Sequence, residues 1–237
     1  MSDSMLTAFF IILSGGLQDA YTYCCRGKVF ANAQTGNIVL LSTHLFEGDW
    51  GQALRYLVPV LAFLLGIYIA ECVHRHFKRM EKVHWRQLII LAEIVLLAAV
   101  GFLPETLNVV VALYPIFFAM SIQWSSFGGA RGFYSATIFS TNNTKQSSLA
   151  LAEYLCDHDR AHLRKMWFYL ATLGCFHVGA SWAFCAVKWW FTRGSLAVLP
   201  LVAWGYFLAV CERRHEEAAS IPEDAGADTA AQPSSNM

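Results

Sequence analysis

Gly16-Leu17-Gln18-Asp19-Ala20, followed by Gln34-Thr35-Gly36-Asn37, is the stretch that decides how this chain is read. It carries a polar pair inside an apolar helix and runs on into a segment rich in Thr and Asn. A second stretch repeats the plan: Ser121-Ile122-Gln123-Trp124-Ser125, then Ser140-Thr141-Asn142-Asn143. From Gln to Thr is 17 positions in the first copy and 18 in the second. A further marker follows in step, Phe63-Leu64-Leu65-Gly66 and then Phe176-His177-Val178-Gly179. Duplicated halves with polar breaks at membrane depth are how many transport proteins build a central site.

Composition agrees with a membrane location. The chain is 56% hydrophobic and 14% charged, with mean hydropathy +0.42, which excludes an ordinary soluble domain. A net charge of +0 gives nucleic acid no electrostatic hold. The 7 cysteines form no CxxC pair and mostly lie in apolar runs, where they read as small buried residues rather than disulfide or metal partners. Met1–Met5 has no Lys or Arg, and no A-x-A-like site follows, so the first apolar run reads as a helix and not a cleaved signal peptide.

A hydrocarbon core of about 30 Å needs roughly 20 apolar residues as a helix. Segments 5–25, 54–73, 87–103, 107–127, 166–187 and 195–211 meet that need, with Pro59, Pro115 and Pro200 expected to kink three of them. The hairpin 74–86 is rich in Lys and Arg and is assigned to the cytoplasm; Pro104-Glu105-Thr106 has no base and faces outward. Stretches 29–46 and 133–155 are long enough to cross but too polar to face lipid, since each unpaired polar group there costs several kcal/mol. They are expected to re-enter the membrane inside a protein-lined cavity. The expected fold is therefore all-α and polytopic, with six spanning helices and two polar re-entrant or half-helix elements. It divides into repeats 1–106 and 107–212 and a disordered acidic tail, 213–237. Three spans per half make the two copies inverted.

The candidate contacts for a solute are Gln18, Asp19, Thr35, Gly36, Asn37, Gln123, Thr141, Asn142 and Asn143. Asp19 stands out because a carboxylate near the bilayer centre costs about 2.5–3.5 kcal/mol on insertion scales. It reads either as a proton or cation site or as a hydrogen-bonded group locking two helices. Glu93 either snorkels to the cytoplasmic surface or faces the same cavity as Asp19. His177 reads as a packing residue or as a proton relay. Half-helices starting near Asn37 and Asn143 would offer free N–H groups to an anion or carbonyl; alternatively Thr35 and Thr141 are plain N-caps. Gly66 and Gly179 read as close-packing residues. Asp157, His158, Asp159 and His162 read as a solvated loop rather than a metal site.

These residues also carry a resemblance. Gly16-x-x-Asp19-Ala20, Phe30-x4-Thr35-Gly36-Asn37, Phe63-x-x-Gly66, Gln123 and Thr141 resemble the YoaK-like family of bacterial multi-pass membrane proteins, over roughly residues 6–212. Members are described as proteins of unknown function, so the resemblance implies location and architecture more than activity. The second half departs from the family pattern, with Trp124 after Gln123 and Asn142 after Thr141, which makes any two-fold site lopsided.

The expectation is a bacterial inner-membrane protein that passes a small polar solute or ion between its halves, with the lipid bilayer as partner and room for a homo-oligomer. Its rival is a non-transporting scaffold or regulator. No nucleophile–base pair, metal set or cofactor motif points to an enzyme or to a bound cofactor.

Overall fold

A computed structural model describes residues 5–78, 85–104, 107–126 and 140–219. Among these residues the structure is all helical, without strands. The helices are α1 (Met5–Cys25), α2 (Gln34–Phe46), α3 (Trp50–Lys78), α4 (Trp85–Gly101), α5 (Val109–Ser126), α6 (Ser140–Asp157), α7 (Arg160–Trp190) and α8 (Leu199–Ala219), with a 3-10 turn, Phe191–Val198, before α8. The basic run 79–84, the turn residues 105–106 and the approach to α6, 127–139, lie outside the described residues.

The apolar segments and the helices coincide, but several helices outrun their apolar cores. The seventh starts at Arg160 because Asp159 caps it, its side chain accepting from the Ala161 amide at 2.8 Å. The loop expected around His158 is thereby reduced to a turn of two residues, with His158 at φ 58°. His162 sits between Glu153 (3.0 Å) and Asp157 (3.1 Å), and Lys165 joins Glu153 at 3.3 Å, so this corner is an ion-paired clasp between α6 and α7 rather than free loop. Pro200 does not kink a helix: it occupies the first turn of α8, where no amide donor is required. The last helix continues to Ala219, past the expected start of the tail at 213, and residues 220–237 lie outside the described set.

Among the described residues two stretches are long and apolar enough to cross a membrane, Trp50–His76 and Arg160–Leu208; Leu91–Gly101 and Val111–Gln123 are shorter apolar runs. Large apolar side chains face outward along these helices, among them Leu61, Leu64, Tyr68, Trp182 and Trp204. A surface of that kind is suited to lipid or to a partner protein.

The packing crosses over in sequence. Helix α1 packs mainly on α7, and α5 on α3. The polar helices lie on their sequence neighbours, α2 on α3 and α6 on α7, while α4 touches α5 and α8 touches α1. The centre is held by Leu17, Leu97, Leu113, Ile116, Phe117 and Met120. Two glycines set the α1–α7 distance. A Cβ on Gly16 would collide with the Phe176 carbonyl, and one on Gly179 with the Leu13 carbonyl. On the other side a Cβ on Gly66 would meet side chains instead, Ser121 first and then the Phe118 ring. Small residues of this kind bring membrane helices together without a hydrophobic driving force.

Candidate functional site

The first polar segment is tied down by its own side chains. Asn32 donates its backbone amide to Asp19 Oδ1 at 2.6 Å, and its side chain donates to the Gly15 carbonyl at 3.1 Å. The Ala31 and Ala33 amides also act on the Asp19 carboxylate. Asp19 is thus the acceptor for the entry to α2. Ala33, the N-cap residue, has no side chain able to serve there. Asn37 is spent in the same way: it accepts from the Phe30 amide at 3.1 Å and donates to the Phe30 carbonyl at 2.8 Å. These contacts correct two expectations. The half-helix begins at Gln34 rather than near Asn37, and in the second half Ser140, Thr141 and Asn143 all lie within helix. Thr35 and Thr141 are therefore helical residues and not caps.

One cavity joins the two polar helices. It measures ≈ 470 Å³ and is walled by Gly16, Asp19, Ala20, Tyr23 and Cys24 of α1, by Phe30, Ala33 and Thr35, by Ser140 and Thr141 of α6, and by Phe176, Ala180 and Phe184 of α7. Helices α2 and α6 do not pack on one another, so the cavity is the gap between them. Its polar groups are the Asp19 carboxylate and the hydroxyls of Thr35, Ser140 and Thr141. Aromatic rings, including the stacked pair Tyr23 and Phe30 at 5.0 Å, close much of the rest. Such a wall can hold a small solute by a few hydrogen bonds inside an apolar shell.

Not every candidate reaches it. Gln18 and Gln123 are buried elsewhere, against α4 and α8. Neighbouring helix positions are about 100° apart, so Gln18 and Asp19 necessarily look in different directions. Asn37 and Asn143 are buried in the packing of their helices, and Gly36 lies under the Phe30 ring. Asn142 is not among the lining residues. His177 lies off the Phe176–Ala180–Phe184 stripe and is not among the lining residues. Glu93 neither snorkels nor faces Asp19: it is 2% exposed and accepts from Gln18 Nε2 at 3.0 Å. Among the described residues no group of three or more His, Cys, Asp or Glu is placed to hold a metal ion.

Several lining residues escape a reading by polarity. Tyr23, Cys24, Phe30, Phe176 and Phe184 look like ordinary membrane core. Their signal is the shared stripe, with Asp19 and Tyr23, and Phe176, Ala180 and Phe184, at intervals of four. Arg26 is a further surprise. Although charged, it is 2% exposed and gives its Nε to Tyr21 Oη at 3.1 Å, and Tyr21 in turn donates to the Thr192 carbonyl at 2.6 Å.

The match to a family model covers residues 7–210, so the chain belongs to the family described as "Protein of unknown function (DUF1275)". That agrees with a resemblance to an uncharacterised family. No curated protein and no solved structure matches the chain.

Proposed function

We propose that this DUF1275 member is a multi-pass protein of a bacterial inner membrane that passes a small polar solute or ion through the cavity between α2 and α6, without acting as an enzyme. The observation that carries the reading is the convergence of Asp19 and Thr35 with Ser140 and Thr141 on one cavity of ≈ 470 Å³. These groups are about a hundred residues apart in sequence and come from the two candidate halves. The helix pairing supports a duplication. Exchanging α1–α4 with α5–α8 turns the α1–α7 contact into α5–α3, α2–α3 into α6–α7, and α4–α5 into α8–α1. Gly66 against Phe118 and Ser121 is then the partner of Gly179 against Leu13, with Leu13 and Phe118 each five residues before the repeated Gln. In this reading α1, α3, α4, α5, α7 and α8 span, and α2 and α6 are the re-entrant pair. At 13 residues, α2 reaches about 20 Å, short of a hydrocarbon core.

Within the cavity, Thr35, Ser140 and Thr141 give hydroxyls to the solute, and Asp19 gives an oxygen and negative potential while it holds the α2 entry. The bilayer is the partner in any case, and self-association is compatible with the apolar exterior.

Cys24 provides the test, because it is a native thiol on the cavity wall. With Cys25, Cys72, Cys156, Cys175, Cys185 and Cys211 replaced by Ser, proteoliposomes are challenged with urea, glycerol or potassium chloride and followed by light scattering. A membrane-impermeant methanethiosulfonate is expected to label Cys24 and to slow the flux about tenfold or more. Ala20→Trp, which fills the same space, is expected to do so without reagent. An inert Cys24 together with no flux of any of these solutes abolishes the proposal.

The scaffold reading has its own specific support. Asp19 and Asn37 serve backbone groups, and the cavity wall is mostly hydrocarbon. It predicts a dry, unreactive Cys24 and vesicles no leakier than protein-free ones.

A further inference from the structure

A second group of polar side chains lies buried on the opposite side of α1 from the cavity. Gln18 Nε2 donates to Ser14 Oγ at 3.1 Å and to Glu93 Oε1 at 3.0 Å. Across from it Gln123 Nε2 donates to the Ile11 carbonyl at 3.3 Å. Both amide oxygens, Gln18 Oε1 and Gln123 Oε1, are buried and have no hydrogen-bond partner among the described residues. Both glutamines are 1% exposed and Glu93 is 2% exposed. Ser14, Glu93 and Gln123 also line one small space of ≈ 10 Å³, completed by Phe10, Ile11, Leu201, Val202 and Gly205. That is room for about one water-sized particle. The bare Gly205 helps leave the space open.

We infer that Ser14, Gln18, Glu93 and Gln123 form a binding site for one dehydrated monovalent cation of sodium size. The donor set consists of oxygens: the Glu93 carboxylate, the Ser14 hydroxyl and the Gln123 amide oxygen from the residues that line the space, joined by the Gln18 amide oxygen once that amide turns. Such a set suits a hard cation. Among the described residues no Lys, Arg or His lines the space, so none of them supplies a positive charge to the carboxylate. A buried charge without a partner is costly, and an incoming cation removes that cost. One carboxylate matches one positive charge; a divalent ion would leave a net charge in an apolar core. Rotating the Gln18 amide by 180° exchanges its two ends in the same volume and turns its oxygen toward Glu93 and Ser14. The site takes ligands from α1, α4 and α5, so occupancy clamps helices of the first candidate half to the first helix of the second. It stands apart from the α2–α6 cavity and does not depend on that cavity conducting.

The experiment uses the full chain in detergent and follows thermal unfolding by tryptophan fluorescence. Sodium chloride replaces choline chloride at constant ionic strength, with potassium chloride in a parallel series. A ligand that binds the folded form raises the midpoint in a saturable manner. Sodium is expected to do so at concentrations about tenfold below those of potassium. Glu93→Gln keeps an acceptor for Gln18 and is expected to fold and to lose the sodium response. Gln123→Leu is the second variant, expected to raise the half-saturating sodium concentration about tenfold. Ala20→Trp, in the other cavity, is expected to leave the response unchanged, which separates this site from the solute path. A wild-type midpoint indifferent to sodium overturns the inference. So does an equal response in Glu93→Gln, or in Gln123→Leu should Glu93→Gln fail to fold.

Discussion

Replacing Gly179 or Gly16 by Ala is expected to unfold this protein more readily than any other single methyl addition to its helices. At both positions a Cβ would collide with a backbone carbonyl, Leu13 for Gly179 and Phe176 for Gly16. A carbonyl cannot rotate away, so α1 and α7 must separate. This is the most extensive helix contact in the fold. Overpacking of a well-packed contact ordinarily costs about 1–3 kcal/mol; with backbone as the obstacle and no side chain able to give, the cost is expected to exceed about 3 kcal/mol. Gly66→Ala should cost less, because what it meets first is the Ser121 hydroxyl, which can turn. At Gly174 an added methyl meets nothing within 4 Å, and Gly174→Ala should be neutral or should stabilise by up to about 1 kcal/mol through better helix propensity. Thermal unfolding of the variants in detergent gives the order: Gly16 and Gly179 lowest, then Gly66, with Gly174 at or above wild type. Equal midpoints for Gly179→Ala and Gly174→Ala would remove the close α1–α7 crossing from the fold.

Those glycines also show what a linear reading reaches and where it stops. The apolar segments and the two polar stretches were legible, because hydropathy alone separates lipid-compatible from lipid-incompatible runs. The role of Gly66 and Gly179 was legible because small residues in apolar helices have few other uses. What each glycine packs against was not, since crossed pairing of α1 with α7 and α3 with α5 is a long-range fact with no local signature. At the site, adjacency in sequence does not mean a shared face, because a helix turns about 100° per residue. Asp19 consequently faces the cavity while Gln18 faces Glu93, and Phe176 faces it while His177 is exposed. Thr35 and Thr141 reach the space; Asn37 and Asn143, two residues further along their helices, are turned into the packing. Composition marks the polar residues but does not sort those open to the cavity from those that serve the backbone.

Asp19 is where that sorting matters most, and its substitution is expected to have the second largest effect. Asp19→Ala withdraws the acceptor for the Asn32 amide, and with it the carboxylate on which the Ala31 and Ala33 amides act. Hydrogen bonds to a charged group contribute about 1.5–3 kcal/mol, and an orphaned buried donor costs about 1–3 kcal/mol. A loss of about 3 kcal/mol is expected, centred on segment 26–33 and the start of α2. Trypsin should then cut after the exposed Lys28 markedly faster than in the wild type. Asp19→Asn retains one carbonyl oxygen for the Asn32 amide but sets an NH2 group against the remaining donors, so its loss should be smaller. The pair separates a backbone-holding role from a transport role. If Asp19 only organises the entry to α2, proteolysis and flux fall into line, with Asn between wild type and Ala in both. If the carboxylate also acts on the solute, Asp19→Asn abolishes flux while trypsin resistance stays near wild type. A stable Asp19→Ala chain with an intact 26–33 segment would contradict the backbone role altogether. The 2.6 Å contact to Asn32 would then be incidental to a group retained for its charge.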